Sequence, residues 1–186
     1  MSTSRGRPHA SSREMLADAA CELFLEQGYE ATSVTEITRR TGVSRSSFFN
    51  YFGGKSAILW FVLDAQIDSL VQVLADPESV FDDALAAFGS GSSPETLALA
   101  IVEARTMLVE DELNLGRAVR QLRIADAVSG RRSRDGSSAV HAQIEGGAVA
   151  AALIGAVWRW AELGAGRHRL EEQVEEGLAA VRALMR

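Results

Sequence analysis

The chain has 186 residues, of which 47% are hydrophobic and 24% charged, a balance that suits a folded protein and excludes a disordered one. Three prolines, many Ala, Leu, Glu and Arg, and no long alternating Val/Ile/Thr runs predict an all-α fold. The net charge of −6 argues against nucleic acid as a partner for the chain as a whole, but residues 1–55 carry seven Lys/Arg against six Asp/Glu, so the acidity lies in the remainder.

Residues 1–10, MSTSRGRPHA, read as a flexible basic arm with Arg5 and Arg7, and Arg13 follows closely. Ser11 and Glu14 have capping-box spacing and open a helix whose apolar stripe is Leu16, Ala19, Ala20, Leu23 and Phe24, ending at Gly28. Cys21 lies in that pattern as a small core residue; a lone cysteine excludes an intramolecular disulfide. A second capping box, Ser33 and Glu36, opens a short helix that buries Val34 and Ile37 and stops at Gly42. Ser44 caps the next helix, with Phe48 and Phe52 inward and Gly53-Gly54 as the break. A fourth helix runs from Lys55 to about Leu74 with Ile58, Leu59, Phe61, Val62, Ala65 and Ile67 on its apolar face. Beyond Pro77, helices are expected over 78–88, 94–110 and 113–128, with Ser93 as a cap and Pro94 as a first helical residue. The run 130–138 reads as a mobile polar loop before a long helix, 139–163, and a last one, 169–185.

Two short serine-capped helices joined by a glycine turn have the layout of a helix-turn-helix, in which the second helix enters a DNA groove. Its outward residues are Ser44, Arg45, Ser46, Ser47, Phe49, Asn50 and Tyr51. Arg pairs bidentately with guanine, Asn with adenine, and hydroxyls meet phosphates. Thr32, Ser33 and Thr35 stand at a helix N-terminus, where free N–H groups attract phosphate, and Lys55 clamps from the far side. Arg39, Arg40, Arg45 and Lys55 supply a local basic face. A plain capped hairpin explains Ser11, Ser33 and Ser44, but leaves the Arg-Ser-Ser surface and its aromatics unexplained.

Residues 12–60, from the Ala-rich helix ending in LFLEQGYEATSV through TEITRRTGVSRSSFFNYFGGKSAIL, resemble the DNA-binding domain of the tetracycline-repressor (TetR) family of transcriptional regulators. The resemblance implies a three-helix DNA-binding domain over 11–54, followed by an all-α ligand-binding and dimerisation domain over 55–186. It also implies a homodimeric repressor that binds a palindromic operator and is released by a small hydrophobic ligand. Thr32, Ser33, Thr35 and Lys55 fall on the family's phosphate-contacting positions, and Ser44 to Asn50 on its recognition helix. Phe49 replaces the Tyr most members use there, and Thr38 replaces a common Ala.

In the second part, small residues at four-residue spacing, Gly147, Ala151 and Gly155, allow close helix approach. With Val174, Leu178 and Val181 of the final helix they are the expected dimer interface. Phe61, Leu85, Phe88, Met107, Leu122 and Trp158 are the expected ligand-pocket residues, with Arg105, Arg120 and Arg123 as anchors for an acidic group. His9, His141 and His168 lie too far apart for a metal site, and Gly54-Lys55-Ser56 lacks the upstream glycine of a phosphate-binding loop. Neither a metal, a cofactor nor an enzymatic centre is expected. The most apolar run, 148–158, is shorter than a bilayer and ends at Arg159, so a cytoplasmic protein is expected. Two alternatives stay open: a DNA-binding regulator without a small-molecule inducer, and a helical dimeric interaction protein without DNA function.

Overall fold

The computed structural model describes residues 12–185, and these form ten α-helices with no strand among them. The basic arm and the Ser11 half of the first capping box lie outside the described residues. α1 (Ser12–Gln27), α2 (Val34–Thr41) and α3 (Arg45–Tyr51) make a three-helix headpiece. α4 (Lys55–Ala75), α5 (Phe81–Ala86), α6 (Glu95–Val102), α7 (Ala104–Met107), α8 (Glu110–Arg134), α9 (Ala139–Gly164) and α10 (Leu170–Leu184) form the remainder.

The headpiece core is the expected one. Leu16, Ala20 and Phe24 of α1 meet Ile37 of α2 and Phe48 of α3, all fully enclosed, and Phe52 closes the layer against Phe61 of α4. Ser33 accepts from Glu36 N–H at 3.2 Å while Glu36 accepts from Ser33 N–H at 2.8 Å, so the α2 capping box is complete. Gly42 ends α2 at φ +70°, a conformation that favours glycine. Cys21 is buried, and that burial, with Asp18 and Glu22 nearby, pushes its thiol up to about 12, so it stays protonated and unreactive.

α9 is the axis of the larger part, packed along α8 on one side and α10 on the other, with α6 across it. α4 lies against α8 and carries Trp60, completely buried, whose ring occupies the place of a side chain on Gly116. Gly146 serves α9 in the same way, because a Cβ there would overlap Ser129 and the Ala125 carbonyl of α8. α4 taken together with α3, and α9 at 26 residues, are long and apolar enough to cross a bilayer, so the shortness read from 148–158 does not hold. Here their apolarity goes into helix packing: α4 lies against α8 and α6, and α9 against three neighbours.

Several boundaries differ from the sequence reading. The 94–110 segment is two helices, broken at Glu103, and Leu108 follows in the left-handed region at φ +52°. Pro94 sits one place before α6 rather than within it. The expected polar loop 130–138 is helical as far as Arg134. Its arginines are held individually: Arg131 by Asp135 and by Ser79 at 2.7 Å, Arg132 by Glu145 at 2.7 Å, and Arg134 by the Leu74 carbonyl at 2.9 Å. Cations in a last helical turn also face the negative end of the helix dipole, so a polar run here prolongs the helix.

Candidate nucleic-acid interface and regulatory surfaces

α3 is positioned from below by Phe48 and Phe52, which leaves Arg45, Ser46, Phe49, Asn50 and Tyr51 exposed on its outer side. The Ser44 hydroxyl accepts from Ser47 N–H at 3.0 Å and lies 2.9 Å from the Ser46 hydroxyl and 2.8 Å from that of Ser47. Three hydroxyls thus converge at the helix N-terminus, beside unpaired backbone donors, a setting that suits an anionic oxygen. Arg45 reaches over the Phe49 ring at 5.8 Å. Phe49 is 48% exposed and Tyr51 42%, so both can meet a groove wall.

Not every expected DNA contact is available. Thr32 is buried at 2% exposure, and its hydroxyl donates to the Gly28 carbonyl at 2.8 Å, so its side chain fastens the α1–α2 turn and does not face outward. Ser33 is exposed but belongs to its own capping box, while Thr35 is exposed on the first turn of α2. The Lys55 ammonium donates to the carbonyls of Tyr29 at 2.6 Å, Thr32 at 3.2 Å and Glu30 at 3.4 Å, and sits 4.2 Å over the Tyr29 ring. Its three hydrogens are taken up, so Lys55 in this state is a staple between α4 and the α1–α2 turn and not a free phosphate clamp. Arg40 is equally occupied: it forms a two-pronged pair with Glu26 at 2.8 Å and reaches Glu22 at 3.6 Å, and the Arg40 bond holds the Glu26 carboxyl below its ordinary range. The basic face therefore reduces to Arg39 and Arg45, both exposed and without an ion pair among the described residues.

A cleft of about 620 Å³ opens between α4 and α5. Phe61, Val62, Gln66, Ser69 and Val73 line it from α4, Val80, Ala84 and Phe88 from the α5 side, and Arg13 from α1. Of the six expected pocket residues, Phe61 and Phe88 line it. Leu85 and Met107 are buried in the core, and Trp158 packs 6.2 Å from Trp60 beneath Arg117. Leu122 points outward with 65% exposure. Neither Arg120 nor Arg123 is an anchor, because Asp64 holds the first at 2.7 Å and Asp68 holds the second. Arg105 does not line the cleft. The missed lining was marked in the sequence: Val62, Gln66, Ser69 and Val73 recur at i, i+4, i+7 and i+11, beside the buried stripe of α4.

On α9 and α10 the structure divides the expected interface. Gly147 and Gly155 have open space where a side chain would be, and Ala151 is exposed. Val174 and Leu178 are 1% and 3% exposed, turned onto their own core, so they are not contacts for a second chain. Val181 is partly covered by that core and lines a groove of about 500 Å³ with Ala151, Gly155, Ala180 and Leu184.

A headpiece of this geometry, with an exposed and capped second helix, is a helix-turn-helix carried on an all-α body. Residues 16–59 match the family model for bacterial regulatory proteins of the tetR family. The headpiece is therefore the DNA-binding domain of the TetR family of transcriptional regulators. It is 38% identical over 65 residues to the HTH-type transcriptional repressor ComR of Escherichia coli K12, covering 35% of this chain and 31% of that one. It is 30% identical over 98 residues to the putative mycofactocin biosynthesis transcriptional regulator MftR of Mycobacterium tuberculosis, half of each chain. The matches thus span a third to a half of these relatives. Along nearly the whole length the fold is similar to SmeT, a multidrug efflux pump repressor of Stenotrophomonas maltophilia, at a TM-score of 0.54 and 20% identity, covering 94% of this chain and 90% of that one. NalD of Pseudomonas aeruginosa gives 0.53 and 19%, with 92% and 94% covered.

Proposed function

We propose that this chain is a cytoplasmic, non-enzymatic, homodimeric repressor that reads a palindromic operator with α3 and leaves it when a small hydrophobic ligand binds. The observation that carries the reading is the outer side of α3, where Arg45, Ser46, Phe49, Asn50 and Tyr51 stand exposed on a helix held rigidly by two buried phenylalanines. Arg45 and Asn50 supply base contacts, and the serine hydroxyls and Thr35 supply phosphate contacts. Residues 11–54 do the reading and 55–186 the control.

Two copies join through the groove of α9 and α10, where Gly147, Ala151 and Gly155 let backbones approach closely. Joined in this way, two α3 helices about 34 Å apart address successive turns of one DNA face. The ligand acts by binding a spacing that DNA does not accept better than the one it does. Support for such control comes from the Lys55 staple, which makes the headpiece follow α4, and from the Tyr29 N–H bond to the Met107 carbonyl at 2.5 Å.

Fluorescence anisotropy with duplex DNA across a salt series tests the DNA arm, and sedimentation velocity tests the dimer. Affinity falls steeply with salt, because phosphate contacts release counterions. Ala151→Glu halves the sedimenting mass and weakens binding to a palindrome more than to a half-site. Salt-independent binding contradicts the first claim, and an Ala151→Glu dimer contradicts the second.

A further inference from the structure

An exposed cation in the lining of the α4–α5 cleft has no anionic partner among the described residues. Gln66 donates its amide N–H to the Ser92 carbonyl at 2.9 Å, which fixes the side chain's orientation, and its Oε1 is buried without a partner. That oxygen is closed to the cleft as well as to solvent, so Gln66 is wall and not a contact. At another edge, the Arg13 guanidinium lies 4.5 Å over the Phe61 ring and 5.4 Å over Phe52, with no hydrogen bond or ion pair among the described residues. Stacking occupies the flat faces of a guanidinium and leaves its N–H fork for a planar anion. The nearby arginines differ, since Arg120 and Arg123 are already matched by Asp64 and Asp68. The other charged group in the lining, Asp83, lies in the first turn of α5, where a carboxylate faces free backbone donors. Between these groups the walls are Val62, Leu70, Val73, Ala84 and Phe88.

We propose that this cleft takes an amphipathic organic acid: an apolar, ring-sized body against α4 and α5, and an anionic group in the Arg13 fork. The inference rests on the ligand-controlled function above and gives its ligand a chemical class. It also places the acid where a reader of DNA would sense it, because Arg13 belongs to α1 and lies over Phe52, the residue that follows the recognition helix.

Two fluorescent probes with the same rings test it on the full chain: anilinonaphthalene sulfonate, which carries an acid, and phenylnaphthylamine, which does not. The wild-type protein binds the sulfonate about tenfold more tightly, the worth of one charge-assisted pair. Arg13→Gln removes that preference by weakening the sulfonate alone, Arg13→Lys keeps part of it, and Ala65→Trp, at the cleft wall, weakens both probes. Equal wild-type affinities, a preference that survives Arg13→Gln, or sulfonate binding indifferent to Ala65→Trp each overturn the proposal. None of these readings involves DNA; the same titration against labelled duplex reports separately whether ligand and DNA compete, so a failure of the function and a failure of the ligand class are told apart.

Discussion

In the headpiece the caps that start the helices find partners close by in the chain, and in the α4–α8 layer the polar groups find them far away. Ser33 with Glu36 and Ser44 with Ser47 are pairs three residues apart. Glu112 of α8 instead accepts from Ser56 at 2.5 Å and from Trp60 at 3.0 Å, 56 and 52 residues away, and Arg134 reaches Leu74 over 60. A short-range pair costs little chain entropy and keeps a small domain in shape by itself. A long-range pair exists only when two helices are already docked, so it reports and enforces how they sit. The difference suits the function proposed above, in which the reading head is fixed and the control layer shifts.

Disrupting the layer gives the largest effects. Gly116→Val drives a side chain into Trp60 and costs about 3 kcal/mol in urea denaturation, with α4 displaced from α8. Glu112→Ala removes the shared acceptor and costs about 2 kcal/mol. Glu112 also lies beside Tyr29, whose hydroxyl is pushed above its ordinary range by burial and then by the Glu112 charge, so the variant loosens the α1–α2 turn as well and speeds amide exchange there. Arg45→Ala leaves stability alone and costs about 2 kcal/mol of sequence-specific DNA binding, with little loss on random duplex. Ser33→Ala costs about 1 kcal/mol, confined to α2. The smallest effect is that of acid on the same cap. The Ser33 backbone N–H holds the Glu36 carboxyl below its ordinary range. A carboxyl lowered in the folded state gives stability above its unfolded pKa and loses it as the pH falls through the folded one. Melting between about pH 6 and pH 3 therefore shows a small decline that Ser33→Ala reduces; equal decline in both proteins removes the cap from the account.

The same division decided what was legible in the chain. Caps, glycine stops and the stripe from Leu16 to Phe24 are local, so the three headpiece helices and the outer side of α3 could be read directly. Arg131 could not: as one of several polar residues in GRRSRDGSS it looked like loop, and Ser79 and the Asp76 carbonyl, which dock it, are 52 and 55 residues away. Lys55 sits where the family places a phosphate contact, but the three carbonyls that engage it come from a turn more than twenty residues earlier. Periodicity identified Val174 and Leu178 as apolar without saying whether the covering surface is their own chain or another. Arg13 carried no apolar signal, and its place at the cleft follows from how α1 and α4 meet.

The central claim is that two copies of α3 read DNA in sequence. Selection of bound molecules from a pool of random duplexes by the full-length protein, followed by sequencing, tests it most directly. The account predicts an enriched palindrome whose half-site centres lie about one helical turn apart. Folded protein that enriches no sequence at low salt would contradict it.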